Sequence, residues 1–366
     1  MAKTLQVNPG ILDISAYQGG KGGQSFSGPV HKLSSNESPL GASPLARDAF
    51  RNNADNLEVY PDGSATNLRA AIAARYGLNA AHIVCGAGSD EILSLLGQVY
   101  LSPGTEALYS AHGFLMYKII AKSCGATPVT APERELTSDV DALLAAVTPK
   151  TRIVFLANPN NPTGTYISVT ELKRLHAGLP GNVLLVIDAA YAEYVSANDY
   201  EAGIEMVSSF DNVVMTRTFS KIYGLAALRV GWAYCPAAIA DVLNRIRGPF
   251  NVSAPALDAA AAAMADGDFM DKARQHNDEW RPWLESALGE LGFEVTPSVG
   301  NFVLAGFTTG GGERADAAET YLAVRGIFVR NMAGYGLPHA LRISVGSEAG
   351  NRAVVEGLEQ FLKDTS

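Results

Sequence analysis

The chain has 366 residues, of which 47% are hydrophobic and 18% are charged, a composition that excludes a wholly disordered protein and favours about two domains. The formal net charge of −9, without any run of lysine and arginine, argues against a nucleic-acid-binding protein. The longest apolar run, residues 259–265, is too short to cross a bilayer, so we expect no membrane segment.

The N-terminal residues and the cysteines indicate a cytoplasmic protein. The first twenty residues lack the apolar core of a secretory signal. Cys85, Cys124 and Cys235 occur in no CxxC motif and no Cys/His cluster. We therefore expect reduced thiols and no bound metal.

In chain order, an arm rich in Gly, Ser and Pro is expected first, and from about residue 64 short apolar runs alternate with helical stretches. Helices are predicted at residues 90–101, 114–124, 140–147 and 169–179. Strands are predicted at residues 82–85, 105–109, 127–130, 153–157, 183–188, 213–216 and 229–234. Such alternation, with uniformly apolar strands, predicts a mainly parallel sheet covered by helices on both faces.

Beyond about residue 240 the pattern changes to a smaller α+β unit. Helix formers dominate residues 239–247 and 255–291, and Pro282 is expected to interrupt the second stretch. Strands are predicted at residues 301–305, 327–330 and 341–345, followed by a helix at residues 349–362. We expect a large domain at residues 46–270 and a small domain at residues 271–366, and we expect the N-terminal arm, residues 1–45, to form part of the small domain.

Polar side chains follow several predicted strands at the point where each strand ends. They are Ser89 and Asp90, residues 158–163, residues 188–191, and Ser220 with Lys221. Ligands of open α/β sheets bind beyond the carboxyl ends of the strands. We therefore expect one shared site at this edge.

The glycine loop at residues 86–91 lies between a predicted strand and a predicted helix, where backbone N–H groups and the helix dipole favour a phosphate. Glu91 occupies the final glycine position of a dinucleotide fingerprint, which excludes that motif. The alternative is a tight turn in which Ser89 or Asp90 caps the helix.

Asp188 ends an apolar strand, so its carboxylate should be partly desolvated and should need a cationic partner. The protonated ring nitrogen of a cofactor would serve, with Tyr191 within reach of the same pocket. The alternative is an aspartate that caps the next segment. Similarly, the rigid loop at residues 158–164 offers an amide for a ring hydroxyl, or forms an ordinary turn.

Lys221 has apolar neighbours, which favours a desolvated, nucleophilic amine over a solvated surface lysine. Ser220 and Arg229 are candidates to hold a phosphate beside it. Arg330 and Arg342 flank apolar strands and could bind a carboxylate or phosphate through two hydrogen bonds. Ordinary ion pairs are the alternative for both arginines.

Taken together, these motifs match the needs of pyridoxal phosphate, and the chain resembles the fold-type I pyridoxal-phosphate aminotransferases, in particular the histidinol-phosphate aminotransferases. The resemblance covers nearly the whole chain and rests on NESP at residues 36–39, YPDG at 60–63, GAGSDE at 86–91, NPNNPTG at 158–164, DAAY at 188–191, RTFSKIYGLAALRVGW at 217–232, YGLP at 335–338 and LRISVG at 341–346. It implies a large domain with a mainly parallel seven-stranded sheet between helices and a smaller α+β domain.

The resemblance also implies roles for individual residues. Lys221 would form the Schiff base with the cofactor and act as general base and acid, and Asp188 would pair with the pyridinium nitrogen. Asn161 and Tyr191 would donate to the ring oxygen, and Phe114 would stack on the ring, where many relatives have tyrosine. The phosphate ligands would be Ser89, Asp90, Ser220 and Arg229, with Tyr60 reaching the neighbouring subunit of a homodimer. Arg342 would receive the substrate anion, with Arg330, Tyr17 and Asn36 as further substrate contacts.

The reaction implied is transfer of an amino group from L-histidinol phosphate to 2-oxoglutarate, which belongs to histidine biosynthesis. The alternative is an aminotransferase for phenylalanine or tyrosine. A related decarboxylase and a non-catalytic regulator that keeps the fold are weaker alternatives, the latter because the reactive residues are intact.

Overall fold

The structure, a computed structural model, describes residues 5, 7–17, 19–22 and 26–365. Its strands in this part of the chain are β1 (His31–Lys32), β2 (Ile83–Gly86), β3 (Glu106–Ser110), β4 (Thr127–Ala131), β5 (Glu133–Arg134), β6 (Thr137–Ser138), β7 (Thr151–Ala157), β8 (Leu184–Asp188), β9 (Val213–Thr218), β10 (Gly231–Tyr234), β11 (Glu294–Thr296), β12 (Phe302–Gly306), β13 (Ile327–Phe328), β14 (Arg330–Asn331) and β15 (Ala340–Ser344).

The α-helices of the described residues are α1 (Pro44–Arg51), α2 (Thr66–Tyr76), α3 (Ser89–Tyr100), α4 (Leu115–Ser123), α5 (Val140–Ala145), α6 (Val169–Gly178), α7 (Ile204–Ser209), α8 (Ala237–Ile246), α9 (Ala254–Ala265), α10 (Gly267–Glu290), α11 (Gly311–Ala323) and α12 (Glu348–Asp364). None of these helices has the length and apolar character that a membrane span requires.

The main sheet has seven strands in the order β2-β10-β9-β8-β7-β3-β4. All neighbouring pairs are parallel except those of β10, which runs antiparallel to both β2 and β9. The predicted mainly parallel seven-stranded sheet is therefore confirmed.

Alternate residues of the central strands supply two separate hydrophobic cores, one on each face of this sheet. On β8, Leu185 and Ile187 enter one core, whereas Leu184 and Val186 enter the other. This division follows from the two-residue period of a strand. Because both faces are covered, the only positions on β8 open to a ligand are at its end.

The smaller region contains a four-stranded antiparallel sheet in the order β11-β12-β15-β14, which packs with α10, α11 and α12 around a third core. Strand β1 pairs in parallel with β13, so residues 31–32 of the arm are tied to this region. Helix α10 runs through residue 270, where we place the limit between the two domains. That limit stays a prediction.

The expected interruption at Pro282 is wrong, because α10 continues through it. A proline inside a helix removes one backbone hydrogen bond, but the neighbouring Trp280 and Leu284 are 7% and 0% exposed, so packing holds this part of the helix. The break lies earlier, at Asp266, whose side chain accepts a 3.2 Å hydrogen bond from the backbone N–H of Phe269. Asp266 thereby caps α10.

Strand register brings the predicted polar loops to one edge. Ala157, Asp188 and Thr216 lie side by side at the ends of β7, β8 and β9. Gly231 on β10 pairs with Gly86 on one side and Thr218 on the other. The glycine loop after β2 therefore lies beside the segment that carries Lys221.

Candidate active site

A cavity of about 260 Å³ lies at this edge of the sheet, between the main sheet and the smaller region, and we call it the site cavity. Nearly all of the residues predicted for the site line it: Tyr17, Asn36, Ser89, Asp90, Phe114, Asn161, Asp188, Tyr191, Ser220, Lys221, Arg229, Arg330 and Arg342. The structure therefore brings these residues together at the strand ends, and their roles in binding and catalysis stay predictions.

Lys221 lies just after β9, and its Nζ donates a 3.2 Å hydrogen bond to the backbone carbonyl of Ser35. Burial, together with the cationic Arg342 and Arg229, lowers the pKa of this amine to about 8, against the opposing charges of Asp90 and Glu37. An amine with this pKa is partly neutral near pH 7 and can act as a nucleophile or a base.

Asp188 is 5% exposed, and each of its carboxylate oxygens accepts a hydrogen bond from a hydroxyl group. Tyr117 Oη donates to Oδ2 at 2.9 Å, and Thr216 Oγ1 donates to Oδ1 at 3.1 Å. Burial raises the pKa of Asp188 to about 6, while the two hydroxyls and Lys221 act against this rise. The carboxylate is thus mostly ionised at neutral pH and suited to a cationic partner.

The glycine loop and Arg229 form a tight cradle at the start of α3. Gly88 precedes the helix at φ 84°, and a Cβ at this position would lie 2.5 Å from the Arg229 guanidinium. A Cβ on Gly231 would lie 2.3 Å from the backbone nitrogen of Ser89. Only glycine at these two positions allows such close packing around the N-terminus of α3, where an anion is favoured.

In this cradle Arg229 contacts two of the three other residues predicted to bind the phosphate at this site, Asp90 and Ser220. Its Nη2 lies 3.1 Å from Asp90 Oδ2, and its Nη1 donates to Ser220 Oγ at 3.2 Å. Arg229 itself has φ 53°, a left-handed conformation that is uncommon for a residue with a side chain. These contacts aim its guanidinium back across the helix start.

A hydrogen-bond chain across the two regions sets which groups of Asn161 and Tyr191 remain available. Arg342 Nη1 donates to Asn161 Oδ1, which leaves the Nδ2 of Asn161 as a donor. Asn36 Nδ2 donates to Tyr191 Oη at 2.9 Å, which leaves the Tyr191 proton to be donated elsewhere. Asn36 is held in turn by Ser344, whose Oγ donates to Asn36 Oδ1 at 2.9 Å.

Arg342 is 5% exposed, and its Nη2 donates to the backbone carbonyl of Ser34 at 2.8 Å. Its Nε is buried and has no hydrogen-bond partner among the described residues. A buried donor of this kind is costly unless a ligand satisfies it. The arginine is therefore well suited to receive an anion.

The mouth of the site cavity is formed by the arm and the smaller region. The Arg330 guanidinium lies over the ring of Tyr17, 5.8 Å from its centroid, and Tyr17 is 54% exposed. Both residues also line an adjoining outer cavity of about 540 Å³. The two cavities therefore share part of their walls, and Lys221 lines the inner one.

Tyr60 does not line the site cavity of its own chain. It is 78% exposed and stacks on Phe250 with a centroid distance of 4.8 Å. Leu57 and Val59, also largely exposed, lie beside it in the chain. None of these three residues lines the site cavity that the chain itself contains.

Sequence reasoning missed Tyr117, Thr216 and Ser344, which contact predicted site residues directly. The spacing held a signal for the first of them. Tyr117 is three residues after Phe114, so the two side chains lie on the same side of α4. Thr216 precedes Lys221 on a strand that pairs with β8, a fact that only the sheet order reveals.

Residues 29–358 match the family Aminotransferase class I and II. A histidinol-phosphate aminotransferase of Paramagnetospirillum magneticum is 57% identical over 97% of this chain and 98% of its own. A second, of Rhodopseudomonas palustris, is 55% identical over 97% of this chain and 98% of its own.

A solved structure gives the same result. The histidinol-phosphate aminotransferase of Sinorhizobium meliloti, in complex with pyridoxal-5′-phosphate, superposes with a TM-score of 0.92 at 27% identity, covering 100% of both chains. The resemblance inferred from the motifs is thus confirmed. The chain belongs to the class I and II aminotransferase family.

Proposed function

We propose that the protein uses pyridoxal phosphate to transfer the amino group of L-histidinol phosphate to 2-oxoglutarate, yielding 3-(imidazol-4-yl)-2-oxopropyl phosphate and L-glutamate. The two curated relatives at 57% and 55% identity carry the name of this activity. The observation that carries the proposal is the site cavity itself, in which Lys221, Asp188, Arg229 and Arg342 converge.

The residues fit this cofactor at each of its polar ends. The cradle that Gly88 and Arg229 form at the start of α3 matches a phosphate, and the ionised Asp188 matches a ring nitrogen that carries a proton. The hydrogen bonds already made by Asn161 and Tyr191 leave each with one donor, which suits a ring oxygen. Phe114 lines the same cavity and offers a π face for stacking.

Within this proposal, Ser89 and Asp90 contribute backbone N–H groups at the start of α3, and Ser220 and Arg229 contribute side-chain donors to the phosphate. When bound, pyridoxal phosphate supplies an aldehyde that condenses with an amine and a ring that accepts electrons. Asp188 holds the proton on the ring nitrogen, since its carboxylate is ionised and fixed by two hydroxyls.

Lys221 would hold the cofactor covalently through its Nζ. Its amine, with a pKa lowered to about 8, then removes the proton from Cα of the substrate and later returns a proton as a general acid. The pKa near neutrality lets one group perform both transfers.

The two substrates place a specific demand on the anion site. Histidinol phosphate carries a phosphate, whereas glutamate carries two carboxylates, so one site must accept either group. Arg342, with its unsatisfied buried Nε, can bind both because a guanidinium matches phosphate and carboxylate alike. We assign Arg330, Tyr17 and Asn36, all on the cavity wall, as further substrate contacts.

We further propose a homodimer in which Tyr60 reaches the phosphate of the neighbouring subunit's cofactor. The proposal is supported by the exposed, apolar setting of Tyr60 and by its absence from the lining of its own site cavity. Light scattering of the full chain tests this part. A cytoplasmic location is also proposed, consistent with the free thiols of Cys85, Cys124 and Cys235.

A screen of amino donors against 2-oxoglutarate tests the substrate. Histidinol phosphate is expected to give a kcat/KM at least about tenfold above that of phenylalanine or tyrosine, because a site built for a phosphate loses that interaction with the aromatic acids. A preference for phenylalanine would assign the chain to aromatic transamination instead. Release of carbon dioxide without formation of glutamate would identify a decarboxylase.

A further inference from the structure

Asp188 receives hydrogen bonds from two different elements, one to each oxygen. Tyr117 on α4 donates to Oδ2 at 2.9 Å, and Thr216 on β9 donates to Oδ1 at 3.1 Å. Neither donor is among the residues that sequence motifs of the site include. Together they fix the plane of the carboxylate from opposite sides.

The tyrosine is held by packing that does not depend on Asp188. Its side chain is 0% exposed and stacks on Phe155 with a centroid distance of 4.7 Å and an interplanar angle of 2°. Its ring also makes edge contacts with Tyr109 at 5.8 Å and with Phe114 at 5.9 Å. The hydroxyl is therefore delivered to the carboxylate by a rigid aromatic cluster.

This hydroxyl remains a donor over the whole working pH range. Burial and the nearby charge of Asp188 raise the pKa of Tyr117 well above its usual value. Asp188, in contrast, can become protonated not far below neutral pH, because burial raises its pKa to about 6. Loss of a donor that stabilises the ionised form would raise that pKa further.

We propose that Tyr117 is a positioning residue that keeps the Asp188 carboxylate ionised and aimed at the cofactor ring nitrogen. The inference rests on the proposed pyridoxal-phosphate function. Because the Tyr117 ring also contacts Phe114, the same side chain sets the wall on which the cofactor ring would stack. Tyr117 thus couples the two groups that bind the ring.

Other charged or titratable groups near Asp188 affect its pKa in the same way in the parent and in the variant. Their effects therefore cancel when the two proteins are compared. Asp90 on α3 raises the pKa of Asp188, and Lys221 after β9 lowers it. Tyr191 and Tyr200 also lie within electrostatic reach of this carboxylate.

The test is retention of pyridoxal phosphate by the purified holoenzyme, measured by ultrafiltration and cofactor absorbance between pH 5 and pH 8. Tyr117→Phe is expected to weaken retention about tenfold at neutral pH, the effect of removing a hydrogen bond to a charged group. The acid limb of the profile, the part in which retention falls as the pH is lowered, should move about one pH unit higher. Thr216→Val should move the limb in the same direction.

Tyr109→Phe serves as the matched control, because it removes a hydroxyl from the same aromatic cluster but leaves both donors of Asp188 in place. Its acid limb should match that of the parent. If the Tyr117→Phe limb also stays at the parent position, the inference is overturned, even if retention weakens uniformly through a loss of packing. Failure of the parent itself to bind the cofactor would instead refute the proposed function.

Discussion

The floor and the mouth of the site cavity are built in different ways. On the floor, Asp188, Tyr117 and Thr216 are between 0% and 5% exposed and are fixed by the central sheet and its helices. At the mouth, Tyr17 is 54% exposed, and the arm beside it is held by contacts such as the 3.1 Å hydrogen bond from Lys122 Nζ to the Asp13 carbonyl. Groups that must keep one geometry, Arg342 among them, are buried, while the further substrate contact Tyr17 lies where the chain can adjust.

The largest expected effect comes from the reactive amine above the floor. Lys221→Ala should reduce transamination by at least about 10³-fold, since the residue is both the covalent anchor and the proton-transfer group. The variant should keep the parent's circular-dichroism spectrum and melting profile. Both are measured with steady-state turnover on the same preparation.

Lys173→Ala is the control, because Lys173 lies exposed on α6, away from the site cavity. Its turnover should equal that of the parent. Turnover within about tenfold of the parent in Lys221→Ala would rule out the assigned role of this lysine.

The setting of Lys221 also predicts a pH dependence. Only the neutral amine attacks an aldehyde, and burial lowers its pKa from the ordinary 10.5 to about 8. The rate at which cofactor-free protein takes up pyridoxal phosphate should therefore rise about fivefold from pH 7 to pH 8 and level off above pH 9.

Stopped-flow absorbance measures this rate, and Nα-acetyl-lysine in solution provides the reference. The reference rate should keep rising to about pH 10, as an unperturbed amine requires. A protein profile parallel to that of the free amine would show that the site does not lower the pKa of Lys221.

The charged residues of the cavity floor were easier to predict from the sequence than the residues that hold them in place. Asp188, Lys221 and Arg229 are recognisable in the sequence because each is a charged residue with apolar neighbours. Such a setting is unusual both along a sequence and inside a folded protein. The parallel sheet was also predictable, since strands buried on both faces are apolar throughout. Tyr117 and Ser344 are ordinary residues of a helix and a strand until the fold places them against Asp188 and Asn36.

The prediction that α10 breaks at Pro282 was wrong for a related reason, because contacts with distant parts of the chain are not visible in the local sequence. Pro282 alone favours a break, but the outcome depends on Trp280 and Leu284 packing against distant segments. Likewise, the antiparallel direction of β10 depends on its pairing with the preceding strand β9 and with β2, which is remote in the chain. Local patterns predict which elements form, whereas pairing and packing decide how they continue.

The smallest effect is expected from a substitution at the mouth, Tyr17→Phe, which can be compared directly with Tyr117→Phe. Tyr17→Phe removes the same atom as Tyr117→Phe, but from a side chain that is 54% exposed instead of 0%. Because the ring beneath Arg330 stays in place, KM for histidinol phosphate should rise only about threefold, with kcat and cofactor retention unchanged. Steady-state kinetics on both substrates and the retention assay separate these effects. If Tyr17→Phe loosened the cofactor as much as Tyr117→Phe, the arm would belong to the cofactor site and the division between floor and mouth would not hold.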